Sequence, residues 1–301
     1  MTTAGRTPSP ALPVLDAHHH LWDLAARPQP WLDTDPALAP LRRTFTVAEL
    51  EPQAAAAGVA STVIVQTVAD PGETPEMLAL AAAGGLVTAV VGWVDLTAPD
   101  VADQLARLAG GPGGAYLAGI RHPVLAEPDP RWLARPDVLA GLGAVAAAGL
   151  AYDVVARPGQ LPAAVQAAAA RPELAFVIDH LGNPGVQSGV DAGWAASFRQ
   201  LAALPHTVCK LSGILGVPPP DGAPGRGDAL AHLRPYYQLA LDCFGPGRLM
   251  FGSDWPVSAI DAPYASIVAI ARELISDLSQ AEQAAILSGT ARRAYALDAA
   301  A

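Results

Sequence analysis

Val14-Leu15-Asp16-Ala17-His18-His19-His20 sets two histidines, His18 and His20, two residues apart in a short apolar segment. Alternate side chains of an extended segment share a face, so these two imidazoles project together. Neutral imidazoles so placed can hold one metal ion. A second cluster, Phe251-Gly252-Ser253-Asp254-Trp255-Pro256, ends another apolar run in one carboxylate. Flanked by Trp and Pro, Asp254 is expected to be partly desolvated. Desolvation raises a carboxyl pKa and suits it to take a proton from water. His180 follows the apolar run before it in Val177-Ile178-Asp179-His180-Leu181-Gly182-Asn183-Pro184. Asp179, out of phase with His180, is expected to face away from the site. Arg121 follows Ala118-Gly119-Ile120, where a guanidinium can polarise a carbonyl or clamp hydroxyls, or close a rim salt bridge. The blander readings are a histidine tract at a strand edge and an Asp that caps the next turn.

The elements that would position these groups repeat along the chain. Apolar runs rich in β-branched residues fall at 13–17, 61–66, 87–94, 115–121, 150–155, 174–179, 207–211 and 248–252. Most are continuously apolar, the pattern of parallel strands buried on both faces. Between them lie Ala- and Leu-rich segments at 47–58, 75–83, 101–108, 136–149, 161–170, 193–204, 228–244 and 263–276, with a final helix pair at 279–287 and 290–297. Strand and helix alternating eight times is the α/β pattern of a (β/α)8 TIM barrel, whose active groups sit at the C-terminal strand ends. The polar residues at those ends are His18 and His20, Gln66, Trp93, Arg121 and His122, Tyr152, His180, Lys210, and Asp254 with Trp255. The aromatic residues Trp22, Trp93, Tyr152 and Trp255 can line a ring-shaped ligand pocket or fill the core. The Pro- and Gly-rich stretch 216–227 reads as a long loop on the catalytic face. No dinucleotide fingerprint follows the first strand, and there is no P-loop or nucleophile elbow.

Composition narrows the classes further. The 301 residues are 51% hydrophobic and only 15% charged, which excludes a predominantly disordered chain. The net charge of −10 and the absence of any basic run argue against a nucleic-acid partner. Residues 77–94 carry no charge, but Gly84-Gly85 divides them into a helix and a strand, so no membrane span is expected. Residues 1–12 read as a disordered tail and 13–301 as one barrel domain. Cys209 and Cys243 cannot build a disulfide framework, which suits a reducing, cytoplasmic setting. The low charge leaves room for a homo-oligomer.

The strand-one motif Val14 to Asp23 resembles the opening of the amidohydrolase-2 family, in its sugar-lactonase-like branch of fuconolactonase, rhamnonolactonase and pyrone-dicarboxylate lactonase types. Gly119-Ile120-Arg121-His122, Tyr152-Asp153, Asp179 to Pro184, Cys209-Lys210-Leu211-Ser212-Gly213 and Phe251 to Pro256 are similar to the same branch. Ser288-Gly289-Thr290-Ala291 departs from its Gly-Asn-Ala turn, with Thr290 where Asn is usual. The resemblance implies a distorted (β/α)8 barrel that opens a lactone ring. Asp254 would act as base, with His18, His20 and His180 facing it. Arg121 would contact the substrate, and Trp22, Gln66, Trp93, His122, Tyr152, Lys210 and Trp255 would surround it. Metal-dependent relatives have a histidine on strand five, where this chain has Tyr152-Asp153. The implied cofactor is thus one divalent metal, zinc or manganese, on His18, His20 and Asp254, or none. The alternatives are a metal-dependent decarboxylase of aromatic acids and a non-catalytic sugar-acid-binding barrel.

Overall fold

In the computed structural model the described residues are 12–217 and 226–297, so the expected tail, apart from Leu12, and residues 218–225 of the expected loop lie outside them. Eight apolar runs form the strands β1 (Val14–His19), β2 (Val59–Val65), β3 (Val87–Gly92), β4 (Leu117–His122), β5 (Ala151–Val154), β6 (Phe176–Ile178), β7 (Thr207–Leu211) and β8 (Leu249–Phe251). All pair in parallel in the order of the chain, from β1 to β8. Helices follow the strands, among them α1 (Val47–Ala56), α2 (Glu73–Ala82), α3 (Val101–Gly110), α4 (Pro136–Ala147), α5 (Leu161–Ala170), α6 (Ala192–Ala202), α7 (Arg226–Phe244) and α8 (Tyr264–Leu274). The architecture is a (β/α)8 barrel.

Period-two alternation sorts the strand residues into two cores. Leu15, Ala17, Val63, Val65, Ala89, Val91, Ala151, Val177 and Met250 fill the barrel interior together with Tyr295. The opposite faces, including Ile64, Val90, Ile120, Tyr152, Phe176 and Leu211, pack beneath the helices. The uncharged stretch 77–94 divides into α2 and β3, with Gly84 and Gly85 at φ of +82° and +112° in the turn between them. Among the described residues no helix is long and apolar enough to cross a membrane.

The expected final helix pair is interrupted. The α-helices α9 (Gln280–Ala284) and α10 (Thr290–Ala294) are joined by one π turn, Ala285–Gly289. Strand six is shorter than the expected 174–179. It stops at Ile178, and His180 and Leu181 then turn to φ of +52° and +56°.

The barrel closes between β1 and the residues after β8 through backbone and one carboxylate. Asp254 N–H donates to the His18 carbonyl at 2.8 Å, and His20 N–H donates to the Trp255 carbonyl at 2.7 Å. Asp16 is fully buried and accepts from Ser253 N–H at 2.7 Å, Tyr264 O–H at 2.9 Å and His18 N–H at 3.2 Å. Burial raises its carboxyl to about 6 despite these donors. Replacing this side chain would strand buried donors at the seam, each worth about 1–3 kcal/mol when unsatisfied. Asp16→Ala is therefore expected to lose about 3 kcal/mol or more in urea unfolding at neutral pH. A loss below about 1 kcal/mol would show that the closure does not depend on this carboxylate.

Candidate active site

The C-terminal strand ends converge on Asp254. Its Oδ1 lies 3.5 Å from His20 Nε2, 3.6 Å from His18 Nε2 and 3.9 Å from His180 Nε2. The imidazoles arrive by two local devices. A register shift between Asp16 and His19 at the end of β1 turns His18 and His20 to the inside, and their Nε2 atoms are 3.1 Å apart. His180 does not lie in phase with Val177. The left-handed turn after β6 redirects it, and Ser212 Oγ holds its Nδ1 at 2.8 Å. Gly213, at φ +72°, leaves the room: a Cβ there would stand 2.6 Å from the His180 ring. Asp254 itself sits at φ +60°, an uncommon conformation for a residue other than Gly, Asn or Asp.

Beneath these groups lies a buried ionic network. Lys210 Nζ meets Asp153 Oδ2 at 2.5 Å, Asp179 Oδ1 at 3.0 Å and His18 Nδ1 at 3.0 Å. Asp179 Oδ2 accepts from Arg121 Nη1 at 3.1 Å, and its Oδ1 is 3.3 Å from His18 Nδ1. Arg121 Nη2 also donates to the carbonyl and the side-chain oxygen of Gln66. Tyr295 O–H donates to Asp153 at 2.7 Å. The expectation that Asp179 faces away from the site is therefore corrected. Val177 points into the barrel, so Asp179, two residues on, does so as well.

Burial sets the protonation states. It pushes Asp254 above the usual carboxylate range, although His180 and Arg121 oppose it. It holds His18 well below the ordinary imidazole value, helped by the Lys210 charge, and brings His20 down to about 3. His180 is lowered for the same reason. Asp179 shows the opposite outcome: burial alone would raise it, but Lys210, His18 and Arg121 together hold it well below its ordinary value.

A cavity of about 710 Å³ opens above Asp254. His20, Arg121, His180 and Asp254 line it from the strand ends. Arg27 and Trp31 line it from the loop after β1, Asp70 from the loop after β2, and Asn183 from the turn after β6. Much of the remaining wall is apolar, including Pro28, Val68, Leu125 and Val257. His18 lies just beneath, fully buried.

The other strand-end residues do not line this cavity. Gln66 anchors Arg121, and Lys210 lies under His18. Tyr152 is buried in the outer core against Phe176. Trp22 donates to the Arg43 carbonyl at 2.7 Å and packs on Phe45, which also receives Trp255. Trp93 donates to His122 at 3.1 Å, and His122 is stacked on Trp132 and bonded to Glu127. Sequence reasoning missed Asp153, Ser212, Asn183, Arg27, Trp31 and Asp70 as neighbours of the site. Only Asp153 carried a usable signal, because it alternates with the inward Ala151.

The donors fit a divalent ion. His20 Nδ1–H donates to the Val65 carbonyl at 2.8 Å, which leaves the Nε2 lone pair free to face His18 and Asp254. Two neutral imidazoles and a carboxylate suit zinc or manganese. His18, Asp179 and His180 form a second convergent set on the same imidazole.

Residues 15–297 match the family model described as Amidohydrolase. An L-fucono-1,5-lactonase of Burkholderia multivorans is 38% identical over 292 residues, covering 94% of this chain and 96% of that protein. An L-fucono-1,5-lactonase of Burkholderia ambifaria is 37% identical, covering 82% and 81%. A crystal structure of an amidohydrolase from Burkholderia multivorans with bound zinc superposes with a TM-score of 0.84 at 36% identity, covering 94% of this chain and 99% of that one.

Zinc added to chelator-treated protein is expected to raise the melting temperature. The gain is about 2.7 kcal/mol at a hundredfold excess over Kd. His20→Ala and Asp254→Asn should abolish the shift. An equal shift in both variants would place the ion elsewhere.

Proposed function

This chain belongs to the amidohydrolase family, and from that premise we propose that it is a hydrolase that opens the ring of a sugar lactone. The observation that carries the reading is the single carboxylate, Asp254, held within 3.5–3.9 Å of three imidazoles at the floor of a cavity large enough for one sugar ring.

Asp254 takes a proton from a water molecule, and the water oxygen attacks the lactone carbonyl. Negative charge develops on the carbonyl oxygen. Arg121 and the cavity-facing imidazole of His180 are the groups able to receive it, since His20 presents an Nε2 lone pair and no proton to the cavity. Ser212 O–H donating to His180 Nδ1 leaves an Nε2–H directed toward Asp254 and the cavity. As the ring C–O bond breaks, Asp254 returns its proton to the leaving oxygen. The products are a hydroxyl and a carboxylic acid, which releases its proton to the solvent. The acid is formed without a covalent enzyme intermediate, so no nucleophilic Ser or Cys is needed. A divalent ion on His18, His20 and Asp254 would supply Lewis-acid polarisation of the carbonyl and lower the pKa of the attacking water.

The pH dependence follows from Asp254. Burial raises its pKa, and the base works only when deprotonated. Activity is therefore expected to fall as pH decreases through a value above the ordinary carboxylate range. Asp254→Asn should lower kcat by about 10²–10⁴-fold. A variant retaining near-full turnover would remove Asp254 from this role. The activity itself is read by indicator-monitored acid release from a panel of aldonolactones at neutral pH, before and after chelation. Acid release matching the uncatalysed rate on every lactone would overturn the proposal.

A further inference from the structure

The cavity extends beyond the reacting groups to Arg27 and Asp70, which the mechanism does not use. These come from different loops and are built into one unit. Arg27 Nη1 and Nη2 bind Glu76 at 2.8 and 3.0 Å, and its Nε meets Asp70 Oδ1 at 3.2 Å. Three of the five guanidinium N–H groups are thereby engaged, and one on each terminal nitrogen is left. Asp70 Oδ1 also accepts from Gly72 N–H at 2.7 Å, while among the described residues its Oδ2 meets no donor. The guanidinium lies directly over Gly72. A Cβ at that position would stand 2.7 Å from Arg27 Nη2 and 3.0 Å from Asp70 Oδ1. Glu73 fixes the same loop by accepting the backbone N–H groups of Thr67 and Val68 at 3.0 and 3.2 Å.

This corner offers unused N–H donors beside an unused carboxylate acceptor. A hydroxyl both donates and accepts, so neighbouring hydroxyls of a sugar match it. A carboxylate does not. It would meet Asp70, and the Arg27 charge is already compensated by Asp70 and Glu76. The other guanidinium of the cavity, Arg121, is likewise compensated by Asp179. Among the described residues lining the cavity, neither arginine is left with an unmatched charge for an anionic ring substituent.

We infer that Arg27 and Asp70 form a hydroxyl-recognising subsite that selects neutral, polyhydroxylated lactones over lactones that carry carboxylates. The inference rests on the lactonase reading and deepens it. Specificity here is set at the far end of the ring. The preference comes from the hydrogen bonds a hydroxylated ring gains here, since the Asp70 and Glu76 carboxylates stay open to solvent.

The experiment compares kcat/KM for neutral 1,5-aldonolactones (the fucono, galactono and glucono compounds), for unsubstituted δ-valerolactone, and for 2-pyrone-4,6-dicarboxylate. The expected result is a strong wild-type preference for a hydroxylated lactone. The ratio of its kcat/KM to that for δ-valerolactone should fall on the order of 10- to 100-fold in Asp70→Asn. It should fall similarly in Gly72→Ala, which keeps every charge but crowds the guanidinium. The near-isosteric Asn guards against a misfolded variant, and the melting temperature of each protein is measured alongside. A ratio unchanged in both variants would overturn the subsite. Opening of the dicarboxylate as fast as the best hydroxylated lactone would overturn the charge selection while leaving the lactonase reading intact. Failure to open any lactone would remove that reading and the subsite with it.

Discussion

A single ammonium group under the floor of the barrel organises most of what lies above it. Lys210 is fully buried, and an unpaired charge there would cost several kcal/mol. Its nitrogen lies 2.5 Å from Asp153 Oδ2 and 3.0 Å from both Asp179 Oδ1 and His18 Nδ1, so strands β7, β5 and β1 and the turn after β6 meet at one point. Asp179 stays ionised because that charge is beside it, and its second oxygen then fixes Arg121. Arg121 and His18 in turn border the space in front of Asp254. The orientation of the cavity-facing groups is thus inherited from an interaction that never meets the solvent.

The same arrangement explains how one site holds carboxylates in different states. Asp179 is surrounded by cations and kept charged. Asp254 has neutral imidazoles as its nearest neighbours, and burial raises it. Low polarisability around both strengthens every fixed dipole, which favours charge that appears only during a reaction. Much of the wall above them is apolar.

Much of this was legible in the residues, and the failures have physical causes. Strand order and the parallel sheet follow from the apolar runs, and period-two alternation puts His18 and His20 on one face. That face turns inward only because the register shifts between Asp16 and His19, since Leu15 and Ala17 already point into the barrel. Asp179 was misassigned because alternation was counted from His180, whereas the chain leaves the extended conformation at that histidine. Tyr152 alternates outward with Phe176 beside it, so its position at a strand end did not bring it to the cavity. Trp22, Trp93 and Trp255 stand near strand ends yet are consumed by packing and backbone contacts in the loops. Arg27, Trp31 and Asp70 reach the cavity from irregular segments, where no periodicity exists to announce them. His180 is the instructive case: its chemistry was visible in the sequence, but its reach depends on a left-handed turn and on the bare Cα of Gly213.

The seam between β1 and the residues after β8 has a consequence for how the chain is made. Asp16 and His18 leave the ribosome 237 and 235 positions before Ser253. A growing chain that has completed seven strands still lacks the Ser253 and Tyr264 donors to Asp16 and the carboxylate that faces the histidines. Its barrel remains open along one side, with Lys210 and its partners near water. Closing that gap is a long-range step whose entropic cost falls at the end. The site is therefore absent from every nascent intermediate and comes into being together with the finished barrel.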